Sequence, residues 1–179
     1  MDRKELDRQM CLLQQGDESA FEVIYNETKR GLFSFIFSIC KNYHTAEDIM
    51  QSAYIKLRAS LGGYTPGSNA LAWLFTIAKN LTLNELQRRK REVYGEFDTK
   101  SFEQGHYTVD GEMPGQLLTT IINTLSESES QIVLLHLVSG YKHREIAEMT
   151  GRPLGTVLWA YRNAIQKLQK VLKKEDAEK

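Results

Sequence analysis

Apolar residues recur at three- and four-residue spacing along nearly the whole chain, and no β-hairpin signal interrupts them, so the pattern predicts an all-α protein. The first helix is expected over 3–14. A second opens after Gly16, with Asp17 placed as its N-cap, and runs to about Asn42. Thr45 is placed to cap a third over 46–60, with Asp48 three residues on as in a capping box. The stretch GGYTPGSN (62–69) offers no helix and must be a loop; a fourth helix follows over about 70–91. Segment 92–116 is acidic, carries glycines and Pro114, and shows no sustained period, which predicts a flexible linker. Beyond it the period resumes over about 116–124, 127–138, 142–149 and 154–174, with Ser126 and Glu129 in capping-box register. The expected architecture is two small helical domains, 1–91 and 117–179, joined by the acidic linker 92–116.

Composition narrows this picture. A chain of 179 residues that is 41% hydrophobic can bury the core of one ordinary domain or two small ones. The longest apolar run, about 32–40, is too short for a bilayer that needs ~20 residues, and no signal-type start precedes it. Two cysteines, Cys11 and Cys40, make no disulfide framework and fit a reducing cytoplasm. Cys40 and His44 could share a metal only with further ligands nearby, and none is evident, so no metal and no cofactor are expected. No P-loop, dinucleotide glycine pattern or Ser-His-Asp order occurs, which argues against an enzyme.

Charge is balanced in total, with 23 basic and 23 acidic residues, yet segregated along the chain. Arg88 to Arg91 are four cations in a row. Segment 92–112 sets one lysine against six acids, whereas 141–174 sets eight basic residues against Glu145 and Glu148.

The end of the chain has the spacing of a helix-turn-helix. That motif needs a small residue at the helix crossing, a glycine in the turn and an apolar anchor on the second helix; Ala147, Gly151 and Val157 supply them. Val157, Tyr161, Ala164, Leu168 and Val171 then share the buried stripe, leaving Leu158, Trp159, Arg162, Asn163 and Gln166 outside. Base edges are usually read by Arg, Lys, Asn or Gln, a role open to Thr156, Arg162 and Asn163 but not to Leu158 and Trp159. An exposed Leu-Trp pair more often marks a protein-binding surface; the alternative is a small rotation that tucks Trp159 against a neighbour.

In the fourth helix, Leu74, Ile77, Ala78 and Leu81 form the apolar stripe. Thr76, Lys79, Asn80, Gln87 and Arg88 lie off it. Basic and amide groups near Trp73, beside a glycine-rich loop, are the ingredients of single-strand capture, although a basic helix end also follows from the helix dipole alone. On the third helix Ala46, Ile49, Ala53 and Leu57 face inward, so Glu47, Asp48, Gln51 and Ser52 cluster on the surface. Acids there suit the dipole, and they equally suit a basic partner.

Four blocks in order, GDESAFEVIYNETKRGLFSF, AEDIMQSAYIKLRAS, WLFTIAKNLTLNELQRRKR and HREIAEMTGRPLGTV, resemble an extracytoplasmic-function sigma factor of the sigma-70 family over roughly 10–91 and 117–172. The resemblance implies partners: bacterial core RNA polymerase, promoter DNA and an anti-sigma factor, with no small-molecule substrate and no membrane insertion. It implies that Glu47, Asp48 and Gln51 dock on the clamp coiled coil of the largest polymerase subunit. It assigns the minus-ten strand, with one base flipped out, to Tyr64, Ser68, Asn69, Trp73, Lys79, Asn80, Arg88, Arg89 and Arg91. The minus-thirty-five duplex falls to Lys142, Arg144, Arg152, Thr156, Arg162 and Asn163, and Leu158 and Trp159 to an anti-sigma factor.

Departures from the family pattern concentrate in the last helix. GTV is normally followed by a Lys-Ser-Arg-like start, whereas here it is followed by Leu158, Trp159 and Ala160; Ser52, Thr76 and Asn84 also stand where the family often has charged residues. Two or three phosphate or base contacts are absent, which predicts weak, salt-tolerant duplex binding. The competing function is a sigma-shaped decoy that binds an anti-sigma factor and no promoter. An ordinary duplex-binding regulator would leave the first unit unexplained.

Overall fold

The computed structural model describes residues 3–93 and 115–177, and every regular element among them is helical. The first unit holds α1 (Arg3–Gln14), α2 (Ser19–Cys40), α3 (Tyr43–Ala59), a single 3-10 turn (Leu61–Gly63) and α4 (Ala70–Val93). The second holds α5 (Gly115–Thr124), α6 (Glu127–Val133) running into a π-helical turn (Leu134–Val138), α7 (His143–Thr150) and α8 (Leu154–Ala177). The expected helices are all present. Helices α4 and α5 extend into both ends of the segment read as a linker, and the rest of that segment, 94–114, lies outside the described residues.

Local signals explain most boundaries, with two corrections. The N-cap of α3 is Asn42, not Thr45: the Asn42 side chain accepts from the Thr45 backbone N–H at 2.9 Å, one turn earlier than expected. Asp17 does accept the Ser19 N–H at 3.0 Å, although the residue immediately before α2 is Glu18. Ser126 and Glu129 form the reciprocal box as read, with the Ser126 N–H donating to the Glu129 carboxylate at 3.0 Å.

Helix α2 is the hub. Its stretch from Leu32 to Phe37 is buried on every side, because α3 and α4 pack on one flank and α6 with the π turn on the other. Phe35 meets Phe75 of α4 edge-on, with ring centroids 5.0 Å apart, and both rings are fully buried. Each such ring stabilises the fold by ~1.5–3 kcal/mol through burial, with ~0.5–1.5 more from the edge-on pairing. The two units therefore share one continuous core, a placement that the linker reading had left open.

Candidate nucleic-acid and polymerase interface

Helix α3 turns Ala46, Ile49, Ala53 and Leu57 inward, as its period requires, and presents Asp48, Gln51 and Ser52 to solvent with Glu47 half-exposed beside His44. Ile55, one turn beyond Gln51, is 70% exposed and gives this polar shelf an apolar centre that the sequence reading passed over. The signal was available, since Ile55 falls off the inward stripe. Arg58 at the far end is occupied: it pairs with Glu18 and lies over the Phe21 ring at 4.8 Å.

The loop between α3 and α4 is built from below. Tyr64 is only 4% exposed; its hydroxyl donates to Asp7 of α1 and its ring lies 5.3 Å from that of Trp73. Burial, reinforced by the hydrogen bond to Asp7, pushes the phenol up to about 12. Tyr64 is thus a strut under the loop and not a surface for a base, a correction to its assignment. Trp73 is half-buried against it, Ser68 is exposed, and Asn69 caps α4 by accepting the Ala72 N–H at 3.0 Å.

From that cap α4 runs outward with Thr76, Lys79 and Asn80 on its exposed face and Leu74, Phe75 and Ala78 buried opposite. Its basic end is braced internally. Glu85 accepts from Arg88 and Arg89 at 2.9 and 2.8 Å, and these bonds hold its carboxyl down to about 2. The second arm of Arg89 donates to Thr45 Oγ1 of α3 at 2.7 Å, so Arg89 ties two helices together; Arg91 is exposed. Lys79, Asn80 and Arg91 are brought onto the outer surface, whereas Arg88 and Arg89 present their charge already paired with Glu85.

In the second unit Gly151 ends α7 at φ 67°, where its N–H caps the Ala147 carbonyl and turns the chain into α8. Val157, Ala164 and Leu168 are buried, and Tyr161 stands edge-on to His136 and His143 at 4.9 and 4.7 Å. Lys142, Arg144, Thr156 and Arg162 are exposed, and Asn163 is half-buried. Arg152 is committed elsewhere: it donates to Gln131 of α6 at 2.9 Å and is half-buried, which takes it off the groove-facing set. The open question about Trp159 has a clear answer. It is 66% exposed, beside Leu158 at 47% and Leu154 at 42%, with no rotation that tucks the indole away.

Residues 24–92 match sigma-70 region 2, and 115–168 match sigma-70 region 4. The chain belongs to the sigma-70 family. Within it the relatives are of the extracytoplasmic-function group, and this chain is a member of that group. It is 28% identical over 154 residues to the ECF RNA polymerase sigma factor EcfG of Rhodopseudomonas palustris, covering 82% of each chain. It is 24% identical over 174 residues to the ECF RNA polymerase sigma factor SigW of Bacillus subtilis, covering 90% of this chain and 93% of that one. The fold matches the sigma factor RpoE of Bartonella quintana, solved with the anti-sigma factor NepR, at a TM-score of 0.66 and 27% identity over 86% of this chain and 96% of that one. No helix among the described residues is long and apolar enough to cross a membrane.

Proposed function

We propose that this chain directs core RNA polymerase to a set of promoters, opens them by holding the exposed minus-ten strand, and is kept in check by an anti-sigma factor. The observation that carries the reading is the outer face of α4, where Lys79 and Asn80 stand exposed beyond a loop anchored by Tyr64, Asp7 and the Asn69 cap. A flipped base needs a rigid rim and an amide to meet it, and strand phosphates need a nearby cation. Helix α3 offers polymerase a polar shelf of Glu47, Asp48 and Gln51 around Ile55. The exposed Lys79 and Asn80 favour an initiator over a decoy, which would need no strand contact.

Lys142, Arg144, Thr156 and Arg162 contact the minus-thirty-five duplex in this scheme, and Leu158 with Trp159 is the anti-sigma contact. RpoE of Bartonella quintana, similar along most of its length, is itself held by an anti-sigma factor. The test is reconstituted transcription with purified core polymerase at promoters whose transcripts rise on overexpression. Specific initiation that needs the chain is expected; its absence at every such promoter defeats the reading.

A further inference from the structure

The loop between α3 and α4 takes its shape from α1. Gln14 of α1 donates from Nε2 to the Leu61 carbonyl at 2.9 Å and to the Tyr64 carbonyl at 3.3 Å. Asp7, two turns earlier on the same helix, accepts on a single oxygen, Oδ1, from the Tyr64 hydroxyl and from the Gly67 N–H, the latter at 2.9 Å. Both side chains precede residues 24–92, the stretch that matches sigma-70 region 2.

The bond from Gly67 falls at the tip of the loop. The Ser68 N–H closes a turn onto the Thr65 carbonyl at 3.1 Å, with Pro66 and Gly67 between them and Gly67 at φ 82°. Proline cannot take a positive φ, so the positive φ at the residue after it makes this a type II turn. Types I and II differ by a flip of the central peptide. Proline suits the first central position of either type, and glycine accepts both signs of φ. The turn residues alone therefore leave the Pro66–Gly67 peptide two orientations, and the bond to Asp7 selects one. Because a trans peptide is planar, the Pro66 carbonyl oxygen points opposite to the Gly67 N–H, away from α1. Thr65, Pro66, Gly67 and Ser68 are all exposed, so this oriented peptide stands at the surface.

We propose that Asp7 is a positioning residue for strand capture: it locks the Pro66–Gly67 peptide so that the Pro66 carbonyl meets the opened strand as a fixed hydrogen-bond acceptor. A carboxylate repels strand phosphates, so whatever Asp7 contributes to capture comes through the turn and not through its charge. The positioning role rests on the strand-capture reading above; the lock on the turn does not.

The test uses the full-length chain. Asp7→Asn keeps an oxygen acceptor and removes the charge, whereas Asp7→Ala removes both. Gly67→Ala attacks the turn independently: a Cβ there meets nothing within 4 Å, so its effect comes through the disfavoured positive φ. Hydrogen exchange at the Gly67 amide, followed by NMR, reads the lock. It should quicken at least about tenfold in Asp7→Ala and stay within about threefold of wild type in Asp7→Asn. Open-complex formation with core polymerase, at promoters whose transcripts rise on overexpression, reads the function. Asp7→Ala and Gly67→Ala should lose at least about fivefold at unchanged core affinity, with Asp7→Asn within about twofold of wild type. Unchanged Gly67 exchange in Asp7→Ala overturns the lock. Wild-type opening in both alanine variants, or an asparagine variant as impaired as Asp7→Ala, overturns the positioning role. Core affinity lost in step with opening makes Asp7 a fold-holding residue and overturns it too. If wild type opens no promoter, strand capture itself has failed, and Gly67 exchange still decides the lock.

Discussion

Helices α4 and α8 are each 24 residues long and each opens from a turn onto an exposed face, yet they present opposite chemistry. The face of α4 begins with Thr76, Lys79 and Asn80, and its ends are fixed by the Asn69 cap and the Glu85–Arg89–Thr45 bracket. The face of α8 begins with Leu154, Leu158 and Trp159, and its first exposed cation is Arg162, two turns in. Helix-turn-helix geometry positions a helix for a groove, but only side chains read one. In the proposed scheme the nucleic-acid contacts lie mainly in the first unit, and the second is a helix-turn-helix with an apolar front.

The largest effect expected from this contrast is on polymerase. Glu47→Lys with Asp48→Lys replaces the acidic rim around Ile55 with like charge to a basic partner, and like-charge contact across an interface costs several kcal/mol. Core affinity should fall at least roughly 100-fold, measured by competition for core enzyme, while the melting temperature stays close to wild type because neither side chain is buried. Core affinity within a few-fold of wild type would remove α3 from the interface. Next in size is Asn80→Ala. Loss of a polar group that meets a flipped base is worth ~1–3 kcal/mol, so open-complex formation should fall by about tenfold at unchanged recruitment. Equal loss of both would assign Asn80 to recruitment.

Much of this was legible in the sequence because helices announce themselves locally. The inward stripes of α3 and α8 and the Ser126 box follow from three- and four-residue spacing, and the structure keeps them. What escaped depends on contacts distant in sequence. Tyr64 reads as a loop aromatic until Asp7, 57 residues earlier, is found beneath it. Arg152 reads as a free cation until Gln131 is found to hold it. The Asn42 cap was a nearer miss: Asn42 and Thr45 both suit an N-cap, and the two bonds that Thr45 donates to Asn42 Oδ1, from its N–H and its hydroxyl, make Asn42 the one that begins the helix.

A smaller effect tests how rigidly the second unit holds its reading helix. Glu129 is almost fully buried at the start of α6. Burial opposes its charge, but Lys167 of α8 at 2.7 Å and the Ser126 bonds prevail and hold the carboxyl below its ordinary 4.5. Lys167→Ala leaves that carboxylate without its cation. Lys167 is itself half-exposed, so the cost is about 1 kcal/mol, or about 2–4 °C in melting temperature for a chain of this length. A depressed carboxylate contributes stability that is present above its unfolded value and lost as pH falls through the folded one. The difference between variant and wild type should therefore be full at pH 7 and shrink below about pH 4.5. A difference that persists unchanged at pH 3 would mean that Lys167 acts through packing alone.

The smallest expected effect bears most directly on the contrast between the two helices. If the front of α8 faces the minus-thirty-five duplex with too few cations, adding one should supply a missing phosphate contact. Leu158→Arg exchanges a half-exposed apolar side chain for a cation without disturbing the buried stripe through Val157, Ala160 and Ala164. Each phosphate newly neutralised steepens the log-log salt dependence by about 0.9, so duplex affinity should rise several-fold at low salt and the slope should grow by about one unit. Trp159→Ala should leave that slope alone, because an indole carries no charge to exchange for counterions, and should weaken the anti-sigma complex instead by removing a large exposed anchor. A steeper slope for Leu158→Arg together with an intact inhibitor complex for Trp159→Ala would divide the front of α8 differently, with DNA on both residues. An unchanged slope for Leu158→Arg would turn the whole front away from the duplex and leave promoter recognition to α4.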